Sequence, residues 1–321
     1  MKKIMSVVSD QWSVARCLRY IVCVSLIFNF QFSIFNSAQA QLLYKISGKG
    51  LDKASYIVGT YHLAPASFAD SIPGLRAAFG ATEQVCGEVD MLETLKPENL
   101  AKMQEAQMLP EGKTLSSLLT QEQLDRLNAL LREVMGMDLT NPAVAEQLDK
   151  VTPMATETTL TLMLYMKNVA AINPADMIDS YFQREAMKEG KGVVGFETSD
   201  FQMDILYGAP LEKQVETLMC FVDNYEEQVE MADFITTAYF AQNLEQLEEL
   251  NLEEQEGACA SNPEDNDKLL YDRNVNWVKA MPGIMKEKPT FFAVGAFHLC
   301  GERGVLKMLE AEGYKIEAVK K

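Results

Sequence analysis

The chain of 321 residues contains only two histidines, and the residues around them repeat. Tyr56-Ile57-Val58-Gly59-Thr60-Tyr61-His62-Leu63 aligns without gaps on Phe292-Ala293-Val294-Gly295-Ala296-Phe297-His298-Leu299. Val, Gly, His and Leu are identical, and two further positions are aromatic in both copies. With 18 glycines in the whole chain, a Gly three residues before each His rarely arises by chance. Each copy reads as a short apolar strand, a Gly where backbones turn or approach closely, and an imidazole just past the strand end. Ligands of α/β sheets bind outside the carboxyl ends of strands, so two such strands can present two imidazoles at one rim.

Carboxylates occur in the same setting. Glu88 ends the run Gln84-Val85-Cys86-Gly87, and Glu197 ends Val193-Val194-Gly195-Phe196. A charge at the end of a buried strand is costly unless paired, solvated or coordinated. His62, Glu88, Glu197 and His298 together offer what a hydrolytic metal site needs: imidazole and carboxylate ligands, and a base for water. The competing assignment makes the histidines satisfied core residues and the glutamates caps or partners of Arg. The matched contexts of the two histidines favour the site. Other catalytic plans lack their motifs: the chain has no G-x-S-x-G, no H-E-x-x-H and no G-x-x-x-x-G-K-[ST]. Cys300 follows His298 by two residues and can line the same site. A Cys–His nucleophile pair is therefore an alternative, although that spacing does not ensure contact.

The elements that must position these groups are legible as hydrophobic patterns. Strands are expected at 42–46 and 55–58, joined by the Gly48-Lys49-Gly50 turn as a hairpin, and at 84–89. A short helix is expected at 75–79, and residues 92–189 read as mainly helical. Thr120-Gln121-Glu122-Gln123 opens one helix as a capping box, 154–166 reads as a buried helix, and another runs from Pro174 through Tyr181 to a stop at Gly190. Residues 192–196 read as a buried strand, followed by helices from 211 to about 250. The helix carrying Leu269, Leu270, Val275, Trp277 and Val278 precedes a strand at 290–294. A helix at 304–312 and a strand at 314–319 close the chain. Strands separated by long helical insertions mean an α/β fold with a central mixed sheet flanked by helices.

Residues 1–40 read as a signal peptide. Lys2, Lys3, Arg16 and Arg19 form a basic leader, an apolar run interrupted by polar residues follows, and Ala38-Gln39-Ala40 makes a cleavage site before Gln41. An uncleaved anchor is the alternative, but the apolar run is short and polar-broken for a stable span. The expected product is exported, periplasmic or extracellular, with residues 41–321 as a single domain. Cleavage removes four basic residues and one acid, taking the formal charge from −17 to −20. Such a charge argues against a nucleic-acid partner, because phosphate contacts need clustered Lys and Arg. The acidic residues between Glu245 and Glu256 alternate with leucines at helical spacing, the pattern of a solvated helix face. Cys86, Cys220, Cys259 and Cys300 would remain, with three possible pairings.

At these motifs the chain resembles the TraB/PrgY/GumN family, which includes the TIKI metalloproteases. The resemblance spans nearly all of residues 41–321. It runs through Gly59-Thr60-Tyr61-His62, Glu88-Val89-Asp90, Leu109-Pro110-Glu111-Gly112-Lys113-Thr114-Leu115, Gly195-Phe196-Glu197-Thr198 with Gln202, and Asp272-Arg273-Asn274. It closes with Val294-Gly295-Ala296-Phe297-His298-Leu299-Cys300-Gly301-Glu302-Arg303-Gly304 and Gly313-Tyr314. The resemblance implies an erythromycin-esterase-like or ChaN-like architecture with a large helical insertion and a site at the strand ends. It also implies His62, His298, Glu88 and Glu197 as site residues, with Arg273 in support. TIKI members look like divalent-metal-dependent proteases, TraB and PrgY members are linked to shutting down peptide pheromones, and most GumN-type members lack an assigned activity.

The resulting expectation is an exported metal-dependent hydrolase, a peptidase acting on a peptide or protein. His62 and His298 would bind a divalent ion such as Mn²⁺, Co²⁺ or Zn²⁺ with one of Glu88 and Glu197, the other accepting the proton of water, and Arg273 would stabilise an oxyanion. The rivals are a non-catalytic protein that binds peptide, metal or haem, and a metal-free esterase with His as general base.

Overall fold

The computed structural model describes residues 41–168, 176–257, 259–260 and 262–320. All of the structure discussed belongs to the unit Ala40–Lys321. The leader read for residues 1–40 and the helix start at Pro174 lie outside the described residues.

Six strands form one mixed sheet. They are β1 (Leu43–Ser47), β2 (Ser55–Thr60), β3 (Gln84–Val89), β4 (Gly192–Glu197), β5 (Thr290–Gly295) and β6 (Lys315–Ala318), in the order β4-β3-β5-β2-β1-β6. The expected hairpin is present: β1 pairs antiparallel with β2, and β6 adds antiparallel to β1. β2, β3, β4 and β5 are mutually parallel, with Val89 opposite Glu197, Gly87 opposite Ala293, and Thr60 opposite Gly295. Four carboxyl ends in succession therefore share one rim, which is where the strand-end residues were expected to meet.

The helices that matter to the site are α1 (Leu75–Gly80), α2 (Gln121–Met135), α3 (Pro153–Asn168), α4 (Ile178–Lys188), α5 (Ser199–Tyr207), α6 (Leu211–Asp223), α7 (Tyr225–Phe240), α8 (Leu244–Glu256), α9 (Asp272–Glu287) and α10 (Val305–Ala311). Thr120 caps α2 through the expected reciprocal box with Gln123. Alternation along the strands assigns neighbouring side chains to opposite faces. Val58 and Phe291 join a core with Ile178, Phe182 and Tyr239, while Ile57 and Phe292 join one with Trp277, Met281 and Leu309. The helical insertions between β3 and β5 build a third core of their own, around Leu115, Leu127, Leu131, Leu160 and Leu218.

Two sequence expectations are corrected. β4 is half-buried along its whole length rather than buried, because it is an edge strand paired only with β3. The helix α3 is buried along one line only: Leu160 and Leu164 are covered, whereas Leu162 is 41% exposed. Of the possible cysteine pairings, Cys220 in α6 bonds Cys259, while Cys86 and Cys300 are free and buried.

Candidate active site

Arg273 is the hub of the rim. A π-helical turn, Asp267–Tyr271, leads into α9 and places Arg273 in its first turn, facing the ends of β3 and β4. Its guanidinium has five N–H donors, and each finds an acceptor. Nε donates to Glu197 Oε1 at 2.8 Å and Nη2 to Glu197 Oε2 at 2.9 Å, a bidentate pair. Nη2 also donates to Glu88 Oε2 at 2.5 Å, and Nη1 donates to Leu269 O at 3.0 Å and to His298 Nε2 at 3.2 Å. Burial works against the guanidinium charge, but Glu197 and Glu88 overcome it and raise the arginine pKa further. A buried cation with two carboxylates holds together because every guanidinium proton and every carboxylate oxygen has a partner.

Glu197 also accepts from Trp277 Nε1 at 2.7 Å, and the Gln202 amide bridges it to Glu88 at 3.1 and 3.3 Å. Glu88 Oε1 accepts from the Gly295 N–H at 2.8 Å, which ties the end of β3 to β5. Burial alone would raise the Glu88 carboxyl, but His298, the Arg273 charge, His62 and that N–H together outweigh it and hold the group at about 2. Glu88 is therefore ionised throughout the neutral range.

The two histidines sit in contrasting surroundings. His298 is buried, its ring centroid 4.3 Å from that of Trp277. Asn274 Nδ2 donates to Arg303 O at 2.9 Å, so its Oδ1 faces the His298 Nδ1 at 2.7 Å and accepts its proton. The imidazole is thus neutral with the lone pair on Nε2, the nitrogen that meets Arg273. Burial pushes His298 down to about 4, Glu88 opposing this and Arg273 adding to it. His62, by contrast, has a side chain 77% exposed, and its Nδ1 lies 3.1 Å from Asp179 Oδ2. The Asp179 charge and hydrogen bond raise His62 to about 9.

The glycines of the two motifs serve different ends. A Cβ on Gly59 would stand 3.0 Å from Ala296 Cα, so Gly59 lets the turn after β5 close over β2. Gly295 supplies its N–H to Glu88, and a Cβ there would press on Oε1 at 3.3 Å.

The structure thus gathers Glu88, Glu197, Arg273 and His298 into one hydrogen-bonded cluster and places His62 at the neighbouring strand end, within the electrostatic reach of Glu88 and Arg273. Cys300 does not join them: its thiol faces the carbonyls of Ala296 and Leu244, and burial raises it to about 12. Asp179, Asn274 and Trp277 had no role assigned from sequence. Asp179 lies in a polar stretch far along the chain from His62, and nothing in its local pattern marks it.

The donor chemistry suits a divalent cation. Each imidazole commits Nδ1 to an oxygen, which makes Nε2 the candidate binding nitrogen as in metal-ligating histidines, although that of His298 accepts from Arg273 Nη1. His298 Nε2 and Glu88 Oε1 are 3.9 Å apart and would be two of the donors to such an ion. The third donor stands off: among the described residues no three His, Cys, Asp or Glu side chains are gathered at metal-binding spacing.

Residues 42–318 match the description "TraB/PrgY/gumN family". The chain is 24% identical to Metalloprotease TIKI2 of Danio rerio over 82% of its own length and 58% of that protein. It is 22% identical to Metalloprotease TIKI homolog of Nematostella vectensis over 83% of its own length and 65% of that protein. It thus spans less than two thirds of either relative. No solved structure matches.

Proposed function

Because this chain belongs to the TraB/PrgY/gumN family, we propose that its strand-end cluster is the active site of a metal-dependent hydrolase that cleaves a peptide or protein. The observation that carries this reading is the shared arrangement of the two imidazoles, each with Nδ1 held by an oxygen, which directs Nε2 to a ligand; at His298 an ion would replace the Arg273 N–H now on that nitrogen. The relatives named as metalloproteases support it from outside the structure.

His62, His298 and Glu88 would hold the ion. Such an ion polarises a carbonyl and lowers the pKa of water, the chemistry that peptide hydrolysis requires. Glu88 is ionised at neutral pH, which suits a ligand; a carboxyl held at about 2 is a weak proton acceptor. Glu197 is committed to Arg273, Trp277 and Gln202, and its part is to anchor the guanidinium rather than to bind metal. Arg273, expected as an oxyanion donor, has all five N–H groups engaged internally and acts first by fixing Glu88 and His298.

The same reading places residues 41–321 in one domain of erythromycin-esterase-like or ChaN-like architecture, exported after removal of residues 1–40. The Cys220–Cys259 disulfide supports an oxidising compartment, and among the described residues no helix is long and apolar enough to cross a membrane. Metal analysis of the purified protein, joined to a peptide-library cleavage assay with and without chelator, tests the function. Cleavage that stops with chelator and returns with Mn²⁺, Co²⁺ or Zn²⁺ is expected; cleavage indifferent to chelator would overturn the metal assignment. A second reading, binding without turnover, draws on the saturation of Arg273, which leaves no donor for an oxyanion. It predicts stoichiometric peptide binding and no product.

A further inference from the structure

Helix α4 is held to the site from both sides. Ile178, Phe182 and Ala186 are fully buried along one face, with the Phe182 ring 4.9 Å from that of Phe291. The Ile178 N–H donates to Ala64 O at 3.0 Å, and Met177 bridges to Pro65, so the start of the helix is docked on the loop that follows His62. Two polar side chains, four residues apart and hence on adjoining turns of one face, then reach different strand ends. Asp179 takes the Thr60 hydroxyl on Oδ1 and the His62 ring on Oδ2. Gln183, buried, donates through Nε2 to Val89 O at 2.9 Å and accepts from the Met91 N–H at 2.8 Å, closing the chain just beyond Glu88.

We propose that α4 is the positioning helix of the site, with Asp179 selecting the nitrogen that His62 presents and Gln183 fixing the strand end that carries Glu88. The proposal rests on the reading that His62 and Glu88 act together. An exposed imidazole with no fixed partner rotates and exchanges tautomers, and an acceptor at Nδ1 removes both freedoms. Thr60 is 2% exposed at the end of β2, so its hydroxyl anchors Asp179 to the strand that delivers His62. The buried face of α4 sets the height of both polar groups against the sheet, so neither depends on a mobile side chain for its placement.

The test uses the two-histidine composition. In the full chain labelled with ¹⁵N-histidine, long-range ¹H–¹⁵N spectra at a pH above the His62 titration resolve one neutral ring from the other. In the unmodified chain the proton of His62 is expected on Nδ1. In Asp179→Ala, His62 should shift to a mixture containing the Nε2–H form while His298 stays unchanged. Asp179→Asn keeps a carbonyl acceptor and should retain Nδ1–H. Zn²⁺ affinity, measured by calorimetry, should fall about 10–100-fold in Asp179→Ala. In uniformly ¹⁵N-labelled Gln183→Met the Gly295 amide resonance should move as Glu88 is released, with His62 unaffected. If Asp179→Ala does not fold, Thr60→Val replaces it and should give a smaller shift of the same ring alone. An unchanged His62 ring in Asp179→Ala, or equal changes in both histidines, would overturn the role of Asp179. An unmoved Gly295 amide in Gln183→Met would overturn that of Gln183. The expected ring pattern without Zn²⁺ binding would sink the metal reading alone, and intact Zn²⁺ binding with unchanged rings would sink the positioning role alone.

Discussion

The two G-x-x-H corners share sequence and differ in almost every physical property. At one, His298 is buried against Trp277, its Nδ1 answered by a neutral amide, and it is held down to about 4. At the other, His62 is open to solvent, its Nδ1 answered by a carboxylate, and it is raised to about 9. In the metal-free protein the imidazole past β5 is therefore biased towards the neutral form and the one past β2 towards the protonated form. The motif fixes where an imidazole stands; its surroundings fix the charge, burial at His298 and the Asp179 carboxylate at His62.

The largest effect that separates the corners comes from the hub. Arg273→Leu leaves Glu88 and Glu197 as buried carboxylates without their cation and should cost about 3–5 kcal/mol in denaturant unfolding. His298→Ala should follow at about 2–4 kcal/mol, since it opens a cavity beside Trp277 and strands Asn274 and Arg273. His62→Ala, at an exposed position, should stay within about 0.5 kcal/mol of the parent. Both histidine variants should nevertheless lose peptide cleavage by about 100-fold or more. Equal stability losses in the two would erase the distinction between the corners.

Exchanging the partners sharpens the comparison further. Asn274→Asp places a carboxylate beside His298 and should raise its titration, while Asp179→Asn should lower that of His62, each by about one unit or more in NMR titrations. The smallest effect is on the pH dependence of stability, and the two limbs have opposite sign. The folded pKa of His298 is depressed, so its contribution is present above its unfolded value of about 6.5 and lost as pH falls towards 4. That of His62 is raised, so its contribution is present below about 6.5 and lost as pH rises through 9. His62→Ala should flatten only the alkaline limb of a stability profile, and His298→Ala only its share of the acid limb.

What was legible in the sequence follows the same division. The strand ends were readable because β-branched and aromatic runs terminate at Glu88, Glu197 and the two motifs, and parallel pairing puts those ends on one rim. Arg273 was visible through its flanking residues. Asp179 and Gln183 were not, because their function lies in where α4 docks, and that is decided by Ile178, Phe182 and Ala186 entering the core. The Cys220–Cys259 pairing was equally hidden, since spacing alone does not choose among three connectivities. The edge position of β4 depends on strand order, which its apolar sequence does not encode.

The most direct test of the claim that both histidines serve one metal site is a Zn²⁺ titration of the ¹⁵N-histidine-labelled chain. One equivalent of Zn²⁺ should shift the Nε2 resonances of His62 and His298 together, along a single binding curve. Movement of one ring alone, or of neither, would contradict it.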